Sequence, residues 1–176
     1  MKNLAFAFIP LTEVNLPLLC EWLNRPHLQE WWQQRMVSLD EVREEYLPRV
    51  FGDGDARPFL AYLDGEAVGY IQSYYVAQGK SSWWPDECGS GVLGIDQFLA
   101  DGDRLGKGLG AAMISQFVNM LFSAPDVKEI RVDPRPDNLR AIRCYQKVGF
   151  GEVSPITTPD GPALMMTLKR LSPPNS

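Results

Sequence analysis

The chain has 176 residues, 45% of them hydrophobic, which suits one folded domain with its own core. Its 17 basic and 22 acidic side chains give a formal charge of -5, which argues against a nucleic-acid partner, and no run approaches the ~20 apolar residues a membrane span needs. Three cysteines without a CxxC pair and a single histidine, His27, argue against a disulfide framework, a zinc site and any Ser-His or Cys-His nucleophile. We expect a cytoplasmic, metal-free domain over residues 1–171, monomer or homodimer, with a flexible tail at 172–176 and His27 as a packing or surface residue.

In chain order, "LAFAFIPL" reads as an opening strand, and Val14 to Asn24 places Leu16, Leu19, Trp22 and Leu23 at helical spacing. Ser38 and Glu41 form an S-x-x-E capping box that opens a second helix running to about Val50, after the aromatic-rich "RPHLQEWW". Two apolar runs in "RPFLAYLDGEAVGYIQSYYV" meet at Asp64-Gly65 as a hairpin. "QGKSSWWPDECGSG" reads as a loop and "VLGIDQFLA" as a strand. Leu109 to Phe122 is a helix with Met113, Phe117, Met120 and Leu121 on its buried face. "KEIRVD" is a short strand, "NLRAIRCYQKV" a helix stopped by Gly149, and "GPALMMTLKRL" a closing strand. The order β α α β β β α β α β β predicts an α/β domain, a mixed sheet covered by helices.

"DRLGKGLGAAM" carries the first functional signal. Helix N-termini bind anions through amides that lack internal partners, and glycines let a diphosphate approach them. A Walker loop fails, because Lys107 is followed by Gly108 instead of serine or threonine. Gly106, Gly108 and Ala111 formally meet the dinucleotide fingerprint G-x-G-x-x-G/A, with Asp133 as the later acidic residue. Against it, "DGDR" separates the glycines from the preceding strand, and only about 65 residues with one further helix follow. A coenzyme A diphosphate loop and a plain helix lead-in remain beside it.

"LGKGLG", then a helix, a strand and "NLRAIRCYQKVGF", resembles the two core motifs of the GCN5-related N-acetyltransferases (GNAT). The loop pattern Q/R-x-x-G-x-G/A is met at Gly108 and Gly110 but has Leu105 in first position, with Arg104 one place earlier. The second motif is met by Asn138, Ala141, Tyr145, Lys147, Gly149 and Phe150. "EWLNRPHLQEWW", "EEYLPRV", "GIDQFLADGDRLGKGLG" and "TTPDGPA" further resemble the aminoglycoside 6′-N-acetyltransferases, over about Leu11 to Ala163. The resemblance implies a single-domain GNAT fold with a mixed, mostly antiparallel sheet flanked by helices. It also implies direct acetyl transfer from acetyl-CoA to a 6′-amine of the kanamycin, tobramycin or amikacin type.

It further implies residue roles. Asp96, a carboxylate between Ile95 and Phe98 in an apolar strand, is the general base, and Tyr145 the proton donor to the departing thiolate. Backbone at Gln97, Phe98 and Leu99, with Leu105, Gly106, Lys107, Gly108, Leu109, Gly110 and Ala111, would hold the thioester and diphosphate. Asn138 matches the pantetheine-contacting position, and Arg140 and Arg143 are candidates for the 3′-phosphate. A polycationic sugar needs separated carboxylates and aromatic walls. Asp96, Asp133 and Asp160 match the family's antibiotic-contacting positions, and Asp160-Gly161 equally reads as a hairpin turn. In Trp31-Trp32 and Trp83-Trp84 adjacent rings cannot all face one core, so at least one of each pair is exposed or ligand-facing. Gln72 and Tyr74 share a strand face and could supply hydrogen bonds, and Tyr46 completes the candidates. Phe98 stands where some relatives carry leucine, which leaves gentamicin open. Two alternatives remain: the same fold acting on a siderophore hydroxylysine or protein amine, and a binding module marked by loss of Asp96 or Tyr145, both of which are present.

Overall fold

The computed structural model describes residues 4–78, 83–84 and 88–171, so the expected tail and part of "QGKSSWWPDECGSG" lie outside the described residues. The strands are β1 (Phe6–Pro10), β2 (Ala56–Leu63), β3 (Glu66–Tyr75), β4 (Val92–Leu99), β5 (Glu129–Val132), β6 (Gly151–Thr158) and β7 (Gly161–Lys169). They form a seven-stranded sheet in the order β1-β2-β3-β4-β5-β7-β6. The helices are α1 (Leu16–Leu23), α2 (Pro26–Leu28), α3 (Leu39–Phe51), α4 (Leu109–Phe122) and α5 (Leu139–Val148). The chain folds as two compact units, Met1–Ser73 with Asp96–Gly110, and Tyr74–Ile95 with Ala111–Ser176.

In the first unit, β1 pairs antiparallel with β2 from Phe6↔Leu63 to Pro10↔Phe59. The helical spacing of α1 buries Leu16, Leu19, Trp22 and Leu23, as its periodicity requires. The box at α3 is reciprocal: Glu41 N donates to Ser38 Oγ at 3.2 Å, and Ser38 N donates to Glu41 Oε2 at 2.7 Å. Asp64 and Gly65 both have positive φ, 51° and 83°, the backbone of a two-residue hairpin turn. "RPHLQEWW", unassigned from sequence, becomes α2 followed by a π-helical turn over Gln29–Gln33. Such a turn lacks a strong periodic signature in five residues, which explains the omission. Two side chains from this segment anchor the end of β4. His27 Nε2 lies 2.9 Å from Leu99 O, and Arg25 Nη1 donates to Ala100 O at 2.7 Å. His27 is therefore a packing residue.

In the second unit, β4 and β5 run parallel from Val92↔Glu129 to Gly94↔Arg131, while β5 with β7 and β6 with β7 are antiparallel. The β6–β7 ladder shifts register between Gly151 and Ser154, where Glu152 takes a φ of 49°. The buried face of α4 differs from the expected one: it comprises Ala111, Met113, Ile114, Phe117 and Val118, and Met120 is 38% exposed. The stripe is centred on Ile114 and Phe117, and Met120 sits at its margin as the last turn emerges.

Candidate active site

Asp96 is half-buried on β4, with Ile95 and Phe98 packed into the interior. Its carboxylate is not left bare: Gln72 Nε2, on β3, donates to Asp96 Oδ2 at 2.7 Å. The other end of the same amide accepts twice, from Tyr70 Oη at 2.6 Å and from Arg49 Nη1 at 3.2 Å. Arg49 Nη2 in turn donates to Glu45 Oε1 at 2.9 Å, and its guanidinium lies 4.6 Å from the centre of the Tyr46 ring. Burial raises the Asp96 pKa above the ordinary carboxylate range, against the opposing pull of the Gln72 hydrogen bond and the Arg49 charge. Burial likewise raises the Tyr46 and Tyr70 phenols, so both stay protonated near neutral pH.

Aromatic rings hold this network in place. Tyr70 stacks on Phe98 at 5.4 Å, Trp32 meets Phe98 edge-on at 5.0 Å, and Tyr46 meets Tyr70 edge-on at 5.7 Å. Tyr46, a candidate from its sequence position, packs within this core. It is fully buried, because Val42 and Tyr46 fall one helical turn apart on the inward face of α3. Trp32 packs against the same core, while Trp31 is half-buried. The side chains of Phe98 and Leu99 are buried, so only their backbone remains for a cofactor role, and the Leu99 carbonyl already meets His27. Gln97 is half-buried.

Past β4 the chain turns through Asp101, whose Oδ1 accepts from Asp103 N at 3.0 Å. Arg104, the arginine closest to the family's first loop position, pairs with Glu66 at 2.9 Å and Asp101 at 3.7 Å. Gly106 and Gly108 take φ values of 72° and 83°, with open space where a Cβ would stand. A φ in this range favours glycine at both positions. Leu105 is half-buried, Lys107 exposed, and α4 begins at Leu109, so the amides of its first turn, through Gly110 and Ala111, lack intrahelical partners. This donor set fits a diphosphate.

In the second unit, Trp83 Nε1 donates to Asp133 Oδ2 at 2.7 Å, holding that carboxylate at the end of β5. Trp84 is buried, with the Arg131 guanidinium 5.7 Å from its ring centre. Tyr74 crosses Gly94 so closely that a Cβ there would stand 2.2 Å from its Cζ. Asn138 caps α5, accepting from Ala141 N at 3.1 Å, and Arg140 and Arg143 are exposed on that helix. Tyr145 is buried edge-on against Phe150 at 5.5 Å. Asp160 is exposed in the β6–β7 turn, where Asp160 N donates to Thr158 Oγ1 at 3.2 Å, as the hairpin reading requires. Sequence reasoning missed Arg49, Glu45 and the Tyr70 hydroxyl. The signals available were the i,i+4 pair Glu45-Arg49 and the shared strand face of Tyr70 and Gln72.

Residues 12–158 match the family described as the acetyltransferase (GNAT) domain. The chain belongs to this family. The GNAT chain is 47% identical over 162 residues to an aminoglycoside N(6′)-acetyltransferase type 1 of Klebsiella pneumoniae, covering 91% of this chain and 81% of that one. It is 50% identical over 91 residues to a kanamycin resistance protein of Rhizobium radiobacter, covering 52% and 84%. A crystal structure of the aminoglycoside acetyltransferase AAC(6′)-Ib with coenzyme A and kanamycin superposes with a TM-score of 0.88 at 46% identity, covering 94% and 95%. The mixed seven-stranded sheet is accordingly the GNAT fold. Among the described residues no His, Cys, Asp and Glu group could hold a metal, and no helix is long and apolar enough to cross a membrane.

Proposed function

We propose that this GNAT domain transfers an acetyl group from acetyl-CoA to the 6′-amine of aminoglycosides of the kanamycin, tobramycin and amikacin type, and so confers resistance to them. The observation that carries the reading is Asp96: a carboxylate set into an apolar strand and held by one oxygen through Gln72. Transfer needs a neutral amine, whereas the free 6′-amine is mostly ammonium near neutral pH. Asp96 attracts that ammonium and accepts its proton, directly or through water. Asp133, held by Trp83, and Asp160 answer the other ammonium groups, with Trp31 and Tyr74 as further contacts to the sugar.

The acetyl donor supplies an activated thioester. The Gly106–Ala111 amides and Lys107 hold its diphosphate, Asn138 its pantetheine arm, and Arg140 and Arg143 its 3′-phosphate. A backbone amide of Gln97 or Phe98 stabilises the developing oxyanion, and Tyr145 returns a proton to the leaving thiolate. Both substrates are bound before transfer, so the acetyl group passes directly to the amine. The domain covers residues 1–171 and works in the cytoplasm, as monomer or homodimer. The test is release of CoA thiol by purified protein with kanamycin, beside hydroxylated lysine and a lysine peptide. Release with kanamycin alone is expected; release only with the lysine acceptors overturns the reading.

A further inference from the structure

The Gln72 amide can do its work only one way round. Its Oε1 receives Tyr70 Oη and Arg49 Nη1, and its Nε2 faces Asp96 Oδ2. Tyrosine does not decide this, because a hydroxyl can donate or accept. Arginine does at one end, because a guanidinium donates and never accepts, and the ionised Asp96 carboxylate, which only accepts, demands the same orientation at the other. Turned over, the amide would set its NH2 against Arg49 and its carbonyl against the Asp96 carboxylate. Arg49 is itself held from three sides, by Glu45, by the Tyr46 ring and by Gln72. The charged and titratable groups around Asp96 are then Arg49, Glu45 and Tyr46 on α3 and Tyr70 on β3.

We propose that Arg49 is a positioning residue for acetyl transfer: acting through Gln72, it fixes Oδ2 of Asp96 as the occupied oxygen and leaves Oδ1 to take the amine proton. This rests on the reading of Asp96 as the base. Arg49→Met removes a cation and one of the two donors that hold the amide carbonyl away from Asp96, which loosens the amide. Both changes disfavour the charged carboxylate, so the acid limb of the rate profile moves to higher pH.

The experiment is the pH dependence of kcat/KM for kanamycin at saturating acetyl-CoA, for wild type, Arg49→Met, Arg49→Lys and Arg49→Gln, with thermal melts to confirm folding. We expect the methionine variant to lose about tenfold or more at pH 6 and less at pH 8, with its acid limb displaced upward by about half a unit or more. Lysine, an obligate donor, restores most of the wild-type profile. Glutamine fills similar space but can also accept, and it shifts the limb if the methionine variant does not fold. Profiles of Arg49→Met or Arg49→Gln that parallel wild type, whatever their height, overturn the proposal. A wild type that turns over no aminoglycoside instead defeats the proposed function, and this inference falls with it.

Discussion

Trp83 donates its indole N–H to Asp133 at 2.7 Å, so one member of an adjacent tryptophan pair serves to hold a carboxylate. Trp83→Phe keeps an aromatic surface and deletes the donor. A hydrogen bond to a charged group contributes ~1.5–3 kcal/mol, so its loss predicts a kanamycin KM raised about tenfold to a hundredfold. The acetyl-CoA KM stays as in wild type. Steady-state kinetics decide it; an unchanged kanamycin KM argues against Asp133 as an ammonium partner.

Gly94→Ala forces a methyl group into the Tyr74 ring, since the added Cβ would lie 2.2 Å from Tyr74 Cζ. Overpacking of this kind costs about 1–3 kcal/mol, and each kcal/mol lowers Tm by roughly 2–4 °C in a domain of this size. Combining it with Tyr74→Ala makes room for the methyl group. The double variant melts above the temperature that adding the two single losses gives; strict additivity contradicts the contact.

Asp96→Asn separates function from stability. Because burial raises the Asp96 pKa in the folded state, the native protein binds that proton more tightly than the unfolded chain. The associated stability is present below the ordinary carboxylate pKa and is lost as pH rises through the folded value. Asparagine carries no charge and can still accept from Gln72. We expect it to melt higher than wild type at pH 7 to 8, the gain closing at low pH, while kcat/KM falls about 10²–10⁴-fold. Calorimetry across pH, beside kinetics, checks both halves.

Ser38→Ala is the counterpart with no functional consequence. It removes the acceptor for Glu41 N and half of the capping box, at a cost of about 1 kcal/mol. Thermal melting should show a Tm lower by roughly 2–4 °C, with kinetic constants unchanged.

The fold was legible where a local rule acts alone. The capping box at Ser38, the positive-φ hairpin at Asp64-Gly65 and the 3.6-residue spacing of α1 each specify their element without help from the rest of the chain. The site was legible less evenly. Asp96 stands out because a carboxylate in an apolar strand needs a partner, and the strand face of Gln72 is plain from its spacing. What sequence could not supply is contact between distant segments. Arg49 reads as an ordinary charge in the last turn of α3 until Gln72, 23 positions later, is seen to accept from it. The burial of Tyr46 and Trp84 is hidden for the same reason, since an aromatic ring suits a sugar face and a core equally well.

That this domain acetylates the 6′-amine of aminoglycosides is decided by locating the acetyl group on the product. Kanamycin and an aminoglycoside with a 6′-hydroxyl in place of the amine are incubated with acetyl-CoA, thiol release is followed, and the product is assigned by NMR. We expect one thiol released per acetyl group, all of it on the 6′-nitrogen, and no turnover of the hydroxyl counterpart. Acetylation at another nitrogen, or equal rates with both compounds, would contradict it.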